Sequence, residues 1–128
     1  MKEPPTTWEE LRDVGFRVGE EQGIAPFAAD GEQYEGMVVQ YLEYFWGAGG
    51  DFEQLAAGNL AHRDNALQAA GFMQKAFREG LYTPGFDRMT HNDARDTFQA
   101  GQAVFMRSWP YVYRGMNSQN LDLSLIHI

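Results

Sequence analysis

Two groups of aromatic and polar side chains stand where we predict that helices and strands begin or end. The first is Gln33–Gly36, just before or at the start of an apolar helix, and the second is Arg107–Tyr111, between a strand and a helix. Side chains and unpaired backbone donors at such ends can face a cleft. A sugar needs flat rings against its C–H surface and planar polar groups for its vicinal hydroxyls. Four residues are of these types: Trp109, Tyr111, Glu35 and Arg107.

A purely structural interpretation competes with this one. Trp109 and Tyr111 can equally be core aromatics, and Glu35 can simply be an acidic residue stabilised by the positive end of a helix dipole. On residue types alone, the structural interpretation is the favoured one.

The sequence offers no recognisable catalytic or metal-binding constellation. Its three histidines are far apart, without the HxxxH or HExxH spacing that places two imidazoles on one helical face. His62 and His91 are predicted to be polar residues at helix starts. The chain has no cysteine and no GxSxG, P-loop or GxGxxG motif, and Glu9–Glu10 and Glu20–Glu21 are typical of a solvated helix surface. We therefore predict no enzyme, no catalytic residue, no metal and no cofactor.

Composition restricts the class of protein. The chain has 128 residues, 44% of them hydrophobic and 14% aromatic, which is enough for one packed core. A formal net charge of -8, with only ten Lys and Arg residues, argues against nucleic acid as a partner. No run approaches the roughly 18 apolar residues of a membrane span.

Local signals predict seven elements in the order helix, strand, helix, helix, helix, strand, helix. Thr7 and Glu10 form a capping-box pattern before the first helix, and Gly23 ends it. The second helix is apolar almost all round, so we expect it to be central, with Tyr44 and Trp46 in the core. The predicted bounds are about 8–22, 24–29, 34–48, 64–78, 90–101 and 102–107, with a last helix from Pro110.

Two short strands cannot make a self-sufficient sheet. Either they pair with each other beneath helices, or they belong to a larger sheet whose other strands are missing. We favour the second possibility and expect an incomplete, helix-rich α/β domain.

Several motifs occur in an order that resembles the family 1 extracellular solute-binding proteins of sugar ABC transporters, especially the trehalose/maltose-type branch. The similarity runs from about Glu3 to Met116. The most specific pieces are PPTTWEEL at Pro4–Leu11 and GQAVFMRSWP at Gly101–Pro110. Between them lie Gly23–Phe27 and Tyr34–Phe52.

The resemblance implies a type 2 periplasmic-binding-protein-like clamshell whose two α/β lobes close on a sugar or oligosaccharide. It also implies an ABC permease as partner, a periplasmic location or an extracellular lipoprotein, and a monomer when complete. This chain would be much of the second lobe, and alone it should bind sugar weakly or not at all. In that family the matching segments border the sugar cleft, which favours ligand contact by five residues: Tyr34, Glu35, Arg107, Trp109 and Tyr111.

The end of the chain has an unusual feature. Leu123–Ile128 is what CTG TCT CTT ATA CAC ATC encodes, and that string resembles the end of a transposon-type sequencing adapter. We therefore expect residues 1–122 to be a partial lobe and residues 123–128 to be non-biological.

Two alternatives remain open from the sequence. One is a fragment of a carbohydrate-active enzyme in which an acid such as Glu35 is catalytic. The other is a small helical interaction domain, complete as given, with the helix Tyr34–Ala48 as its core.

Overall fold

The computed structural model describes residues 3–117 together with residues 123, 124 and 126. Helices dominate this part of the chain, and two short strands lie among them. The elements are α1 (Trp8–Gln22), β1 (Ala25–Ala28), α2 (Glu35–Gly47), α3 (Phe52–Ala56), α4 (Ala61–Glu79), a 3-10 turn (Phe86–Arg88), α5 (His91–Gln99), β2 (Ala103–Met106) and α6 (Tyr111–Asn117).

The two strands pair with each other in parallel, with Phe27 opposite Phe105 and Ala28 opposite Met106. On the other edge of β1, Phe27 donates its N–H to the Leu81 carbonyl and accepts a hydrogen bond from the Thr83 N–H, both at 3.0 Å. In the described residues the two strands therefore pair with each other, as in the first of the two sequence-based alternatives, and this pairing is compatible with the favoured expectation of an incomplete α/β domain. Because the strands are parallel, their carboxyl ends lie at the same edge of the sheet.

The main core forms where α1, α2 and α4 pack with both strands. Tyr44 is 2% exposed and packs edge-on against Trp8, with ring centroids 4.6 Å apart. Its hydroxyl accepts a hydrogen bond from Gln40 Nε2 at 2.8 Å and lies 2.9 Å from the Tyr82 hydroxyl. This buried polar chain ties α2 to the segment beside β1.

Capping residues explain where α1 and α5 begin. At α1 the Thr7 hydroxyl accepts the Glu10 N–H, but the Glu10 carboxylate bonds to the Thr6 N–H at 2.8 Å rather than to Thr7. The capping box predicted there is therefore only half formed. At α5 the box is complete, because Thr90 and Asp93 each accept the other's N–H.

The prediction that Trp46 is a core residue is wrong, since its side chain is 52% exposed. The buried positions of α2 include Gly36, Gln40 and Tyr44, spaced four residues apart on one face. Trp46 follows Tyr44 by two residues and so points to the opposite side of the helix. The apolar composition of α2 did not reveal that a glutamine lies on the buried face.

The region before α4 also differs from the prediction. A separate short helix, α3, precedes it, and α4 itself begins at Ala61, three residues ahead of the expected start near Asp64.

Of the tail 123–128, residues 125, 127 and 128 lie outside the described residues, while Ile126 packs against the main core. Among the described helices, none combines the length and apolarity needed to cross a membrane.

Candidate functional site

Two charged residues follow the parallel strands at their shared carboxyl edge. Arg107 comes directly after β2, and its N–H donates to the Ala28 carbonyl at 2.9 Å, which extends the ladder. Asp30 follows the end of β1 by two residues and is fully buried. Arg107 Nη1 lies 3.9 Å from Asp30 Oδ2. In open parallel sheets, ligands bind outside the carboxyl ends of the strands, so this edge is the candidate site.

A second carboxylate holds the Arg107 guanidinium from α2. Glu43 Oε1 accepts hydrogen bonds from Nη2 at 2.8 Å and from Nε at 3.1 Å. Arg107 is only 8% exposed, and its Nη1 has no hydrogen-bond partner among the described residues. The cation is therefore enclosed between two anions, with two of its three nitrogens bonded to Glu43.

Trp109 covers the guanidinium. The Cζ atom of Arg107 lies 4.5 Å from the centroid of the Trp109 ring, the geometry of a cation–π contact. The Trp109 side chain is 41% exposed. It thus presents a partly open aromatic surface above a buried charge.

Tyr34 extends the site on the Asp30 side. Its hydroxyl donates to Asp30 Oδ2 at 2.7 Å and accepts the His91 N–H at 3.0 Å. Burial, reinforced by the hydrogen bond to Asp30, raises the pKa of Tyr34 to about 12. The phenol therefore remains a donor at neutral pH. Gly36 permits this arrangement, because a Cβ there would overlap Asp30 Oδ2 and the Tyr34 ring.

We define the carboxyl-edge cluster by its linked members: Asp30, Tyr34, Glu43, His91, Arg107 and Trp109. Three of the five residues predicted from the sequence belong to it, namely Tyr34, Arg107 and Trp109. The other two flank it on exposed positions, Glu35 as the first residue of α2 and Tyr111 as the first residue of α6, 62% exposed.

Two members of the cluster, Asp30 and Glu43, were not predicted from the sequence. Asp30 follows an apolar strand much as Arg107 does. The pairing of the two strands, had it been predicted as parallel, would have placed these opposite charges at one edge. Glu43 would have been harder to predict than Asp30, because the sequence shows only a single carboxylate in the middle of an apolar helix.

Other parts of the described chain are less suggestive of chemistry. In residues 3–117, 123, 124 and 126, no group of three or more His, Asp and Glu side chains is arranged to hold a metal ion. A depression of about 460 Å³ borders Tyr82, Pro84 and Phe86, on the side of β1 away from β2. It does not include the carboxyl-edge cluster.

Comparisons with known proteins give two informative similarities, although no protein-family model matches the chain. The chain is 32% identical over 120 residues to the "Probable ABC transporter-binding protein" of Deinococcus radiodurans; the match takes in 86% of this chain and 27% of that protein. It superposes on maltose-bound MalE3 of T. maritima with a TM-score of 0.76 and 31% identity, over 92% of this chain and 30% of that one.

These similarities confirm the predicted fold class. The chain has a helix-rich α/β fold that corresponds to part of a periplasmic-binding-protein-like lobe. It spans about a quarter of the length of the Deinococcus radiodurans protein.

Proposed function

We propose that this chain, a relative of the solute-binding proteins of sugar ABC transporters, supplies one wall of a cleft that captures a sugar or oligosaccharide for import. The observation that carries the proposal is the exposed Trp109 ring stacked on the buried Arg107 at the carboxyl edge of the parallel strands. A half-exposed aromatic ring beside fixed polar groups suits a ligand whose surface alternates C–H faces and hydroxyls.

The remaining predicted residues complete this wall. Tyr111, two residues after Trp109, offers a second exposed ring, and Glu35 offers a carboxylate at the exposed start of α2. Tyr34 borders the cleft through its ring, since its hydroxyl is engaged by Asp30 and His91. Arg107 belongs to the same site beneath Trp109.

The proposed mechanism is binding without chemistry. The longer protein shifts from an open to a closed form because the sugar contacts both lobes only when they are closed. One wall alone leaves the sugar exposed to water, so the affinity of this chain by itself is low. The parent protein is periplasmic or a lipoprotein on the outer face of the membrane, acts as a monomer, and delivers its ligand to an ABC permease.

A substitution at Glu35 separates binding from catalysis. In the longer protein that carries this reading frame, recovered by sequencing the flanking DNA, Glu35→Gln should weaken sugar binding measured by calorimetry. Neither the wild type nor the variant should release cleaved sugar. Turnover of an oligosaccharide by the wild type that disappears in Glu35→Gln would favour the enzyme alternative instead.

The isolated chain provides a complementary measurement. Nuclear magnetic resonance detects binding with a millimolar Kd, which corresponds to about 4 kcal/mol of binding free energy or less. Maltose added at tens of millimolar should therefore shift the Trp109 indole signal and the amide signals around Glu35. The Trp46 indole, on the exposed side of α2, is the internal control. Equal shifts at Trp46 and Trp109 would indicate a solvent effect rather than a site.

A further inference from the structure

We infer that Glu43 and Asp30 are positioning residues that fix the Arg107–Trp109 pair as a rigid platform for the ligand. The inference rests on the proposed function for the ligand, but the order of the platform is a property of the protein alone. Asp30 is fully buried, and Glu43, whose side chain is 30% exposed, bonds to the Arg107 guanidinium through both carboxylate oxygens.

The geometry of Glu43 is that of a clamp. It reaches Nη2 and Nε of Arg107 together, which fixes both the position and the plane of the guanidinium. A long arginine side chain otherwise has many rotamers, and a single contact would leave the plane free to turn. Glu43 lies on α2 and Arg107 follows β2, so the clamp also ties the helix to the strand.

Trp109 depends on that plane for its orientation. It stands between the end of β2 and the start of α6, outside both elements. In the described part of the chain, no aromatic ring packs against it, and its contact with the Arg107 cation lies at 4.5 Å. The cation–π contact is therefore the route by which the position of the guanidinium reaches the indole.

The charges explain why two carboxylates are needed. Arg107 Nη1 is buried and lacks a hydrogen-bond partner in the described residues, with Asp30 as its nearest anion at 3.9 Å. Neutralising Glu43 would leave the buried cation with that one distant anion. An under-compensated buried charge is costly and favours a shift of the guanidinium toward water, and the partly exposed Trp109 ring lies 4.5 Å from its Cζ atom. Loss of the Glu43 charge should therefore displace Trp109.

The test uses the longer protein with two independent variants, Glu43→Gln and Arg107→Lys. The first keeps the shape of the side chain but removes its charge, and the second keeps the charge but removes the planar fork. In the absence of sugar, relaxation of the Trp109 indole signal should show greater mobility in both variants. In the presence of sugar, affinity should fall by about tenfold or more. Glu43→Asp, which retains the charge, should restore part of both properties.

Glu20→Gln is the matched control, because Glu20 is an exposed carboxylate on α1, and it should behave as wild type. The inference is overturned if the Trp109 signal is as ordered in Glu43→Gln and Arg107→Lys as in the wild type. If one variant does not fold, the other decides. Failure of every protein to bind sugar would refute the proposed function, whereas the mobility of Trp109 without sugar would still decide the positioning role.

Discussion

At the scale of single residues, Arg107 is the centre of the account. It is a nearly buried cation whose two carboxylate neighbours come from different parts of the fold, Glu43 from α2 and Asp30 from the turn after β1. Through Trp109 it connects this buried charge to the surface. Because a buried ion pair often adds little net stability, we infer that the main role of Arg107 is to order Trp109.

Tyr34 gives a pH-dependent prediction. Because the pKa of its phenol is raised to about 12, from an ordinary value of 10.0, the folded state holds this proton more tightly than the unfolded state. The associated stability is fully present below pH 10 and is lost as the pH rises through about 12. We expect the free energy of unfolding, measured by urea titration, to fall over this interval.

Tyr34→Phe is the matching variant for this prediction. It removes one phenol that titrates late in the tyrosinate absorbance of the folded protein, and it should flatten the alkaline loss of stability. Two other tyrosines remain in both proteins and contribute the residual slope: Tyr82, whose pKa burial raises to about 12, and Tyr44, whose pKa burial raises well above its usual value. An absorbance titration of Tyr34→Phe identical to that of the wild type would contradict the assignment.

Sequence could identify Tyr34, Arg107 and Trp109 as residues at element ends, because the signals for those ends are local. It could not show that Arg107 is buried or that its partners are Asp30 and Glu43. Those contacts span 77 and 64 positions along the chain, and they exist only because β1 and β2 pair in parallel. The roles of the five predicted residues in ligand binding stay predictions.

At the scale of elements, the start of α2 depends on a residue without a side chain. A Cβ at Gly36 would overlap Asp30 Oδ2 and the Tyr34 ring, so Gly36→Ala must push Tyr34 away from Asp30. We expect lower stability and a pKa of Tyr34 that moves back toward 10. The matched control is Gly71→Ala in α4, where the added methyl meets nothing within 4 Å.

Gly71→Ala should leave stability unchanged or raise it by about 0.5–1 kcal/mol, as for an unobstructed glycine in a helix. Thermal unfolding of the two variants beside the wild type is the measurement. Equal effects of the two substitutions would mean that the close approach at Gly36 is not a constraint on the site.

The two helix caps give a second comparison between elements. Thr90 is part of a complete capping box at α5, whereas the Thr7 hydroxyl at α1 accepts one N–H and the Glu10 carboxylate turns to Thr6. Thr90→Ala should cost about 1 kcal/mol of stability, and Thr7→Ala somewhat less because Glu10 retains its bonds to Thr6. Chemical denaturation would show the difference, and a larger effect at Thr7 would contradict it.

Element bounds were largely predictable because caps and glycine stops act locally, as at Thr7, Gly23 and Thr90. The orientation of α2 was not. A helix rich in Val, Tyr, Phe and Trp has no clear apolar stripe, and the face that is buried was selected by packing against Trp8 and α4, which placed Gln40 inside and Trp46 outside. Composition could not reveal that choice.

At the scale of the whole molecule, the chain covers only part of its relatives, 27% of the Deinococcus radiodurans protein. Several large apolar side chains of α2 and α4 are exposed, among them Val38, Trp46 and Leu67. We expect the remainder of a longer protein to pack near such surfaces. Apart from the short helix α3, the order of elements was predictable from local signals. The surfaces that cover these exposed side chains cannot be read from one segment of sequence.

The most direct test of the account is a calorimetric titration of the longer protein with maltose and a panel of other mono- and oligosaccharides. The longer protein should bind at least one sugar saturably. Trp109→Ala should weaken that binding by about tenfold or more, while Trp46→Ala, which removes an equally large exposed ring outside the carboxyl-edge cluster, should not. Absence of binding across the panel, or equal affinity of Trp109→Ala and the wild type, would contradict it.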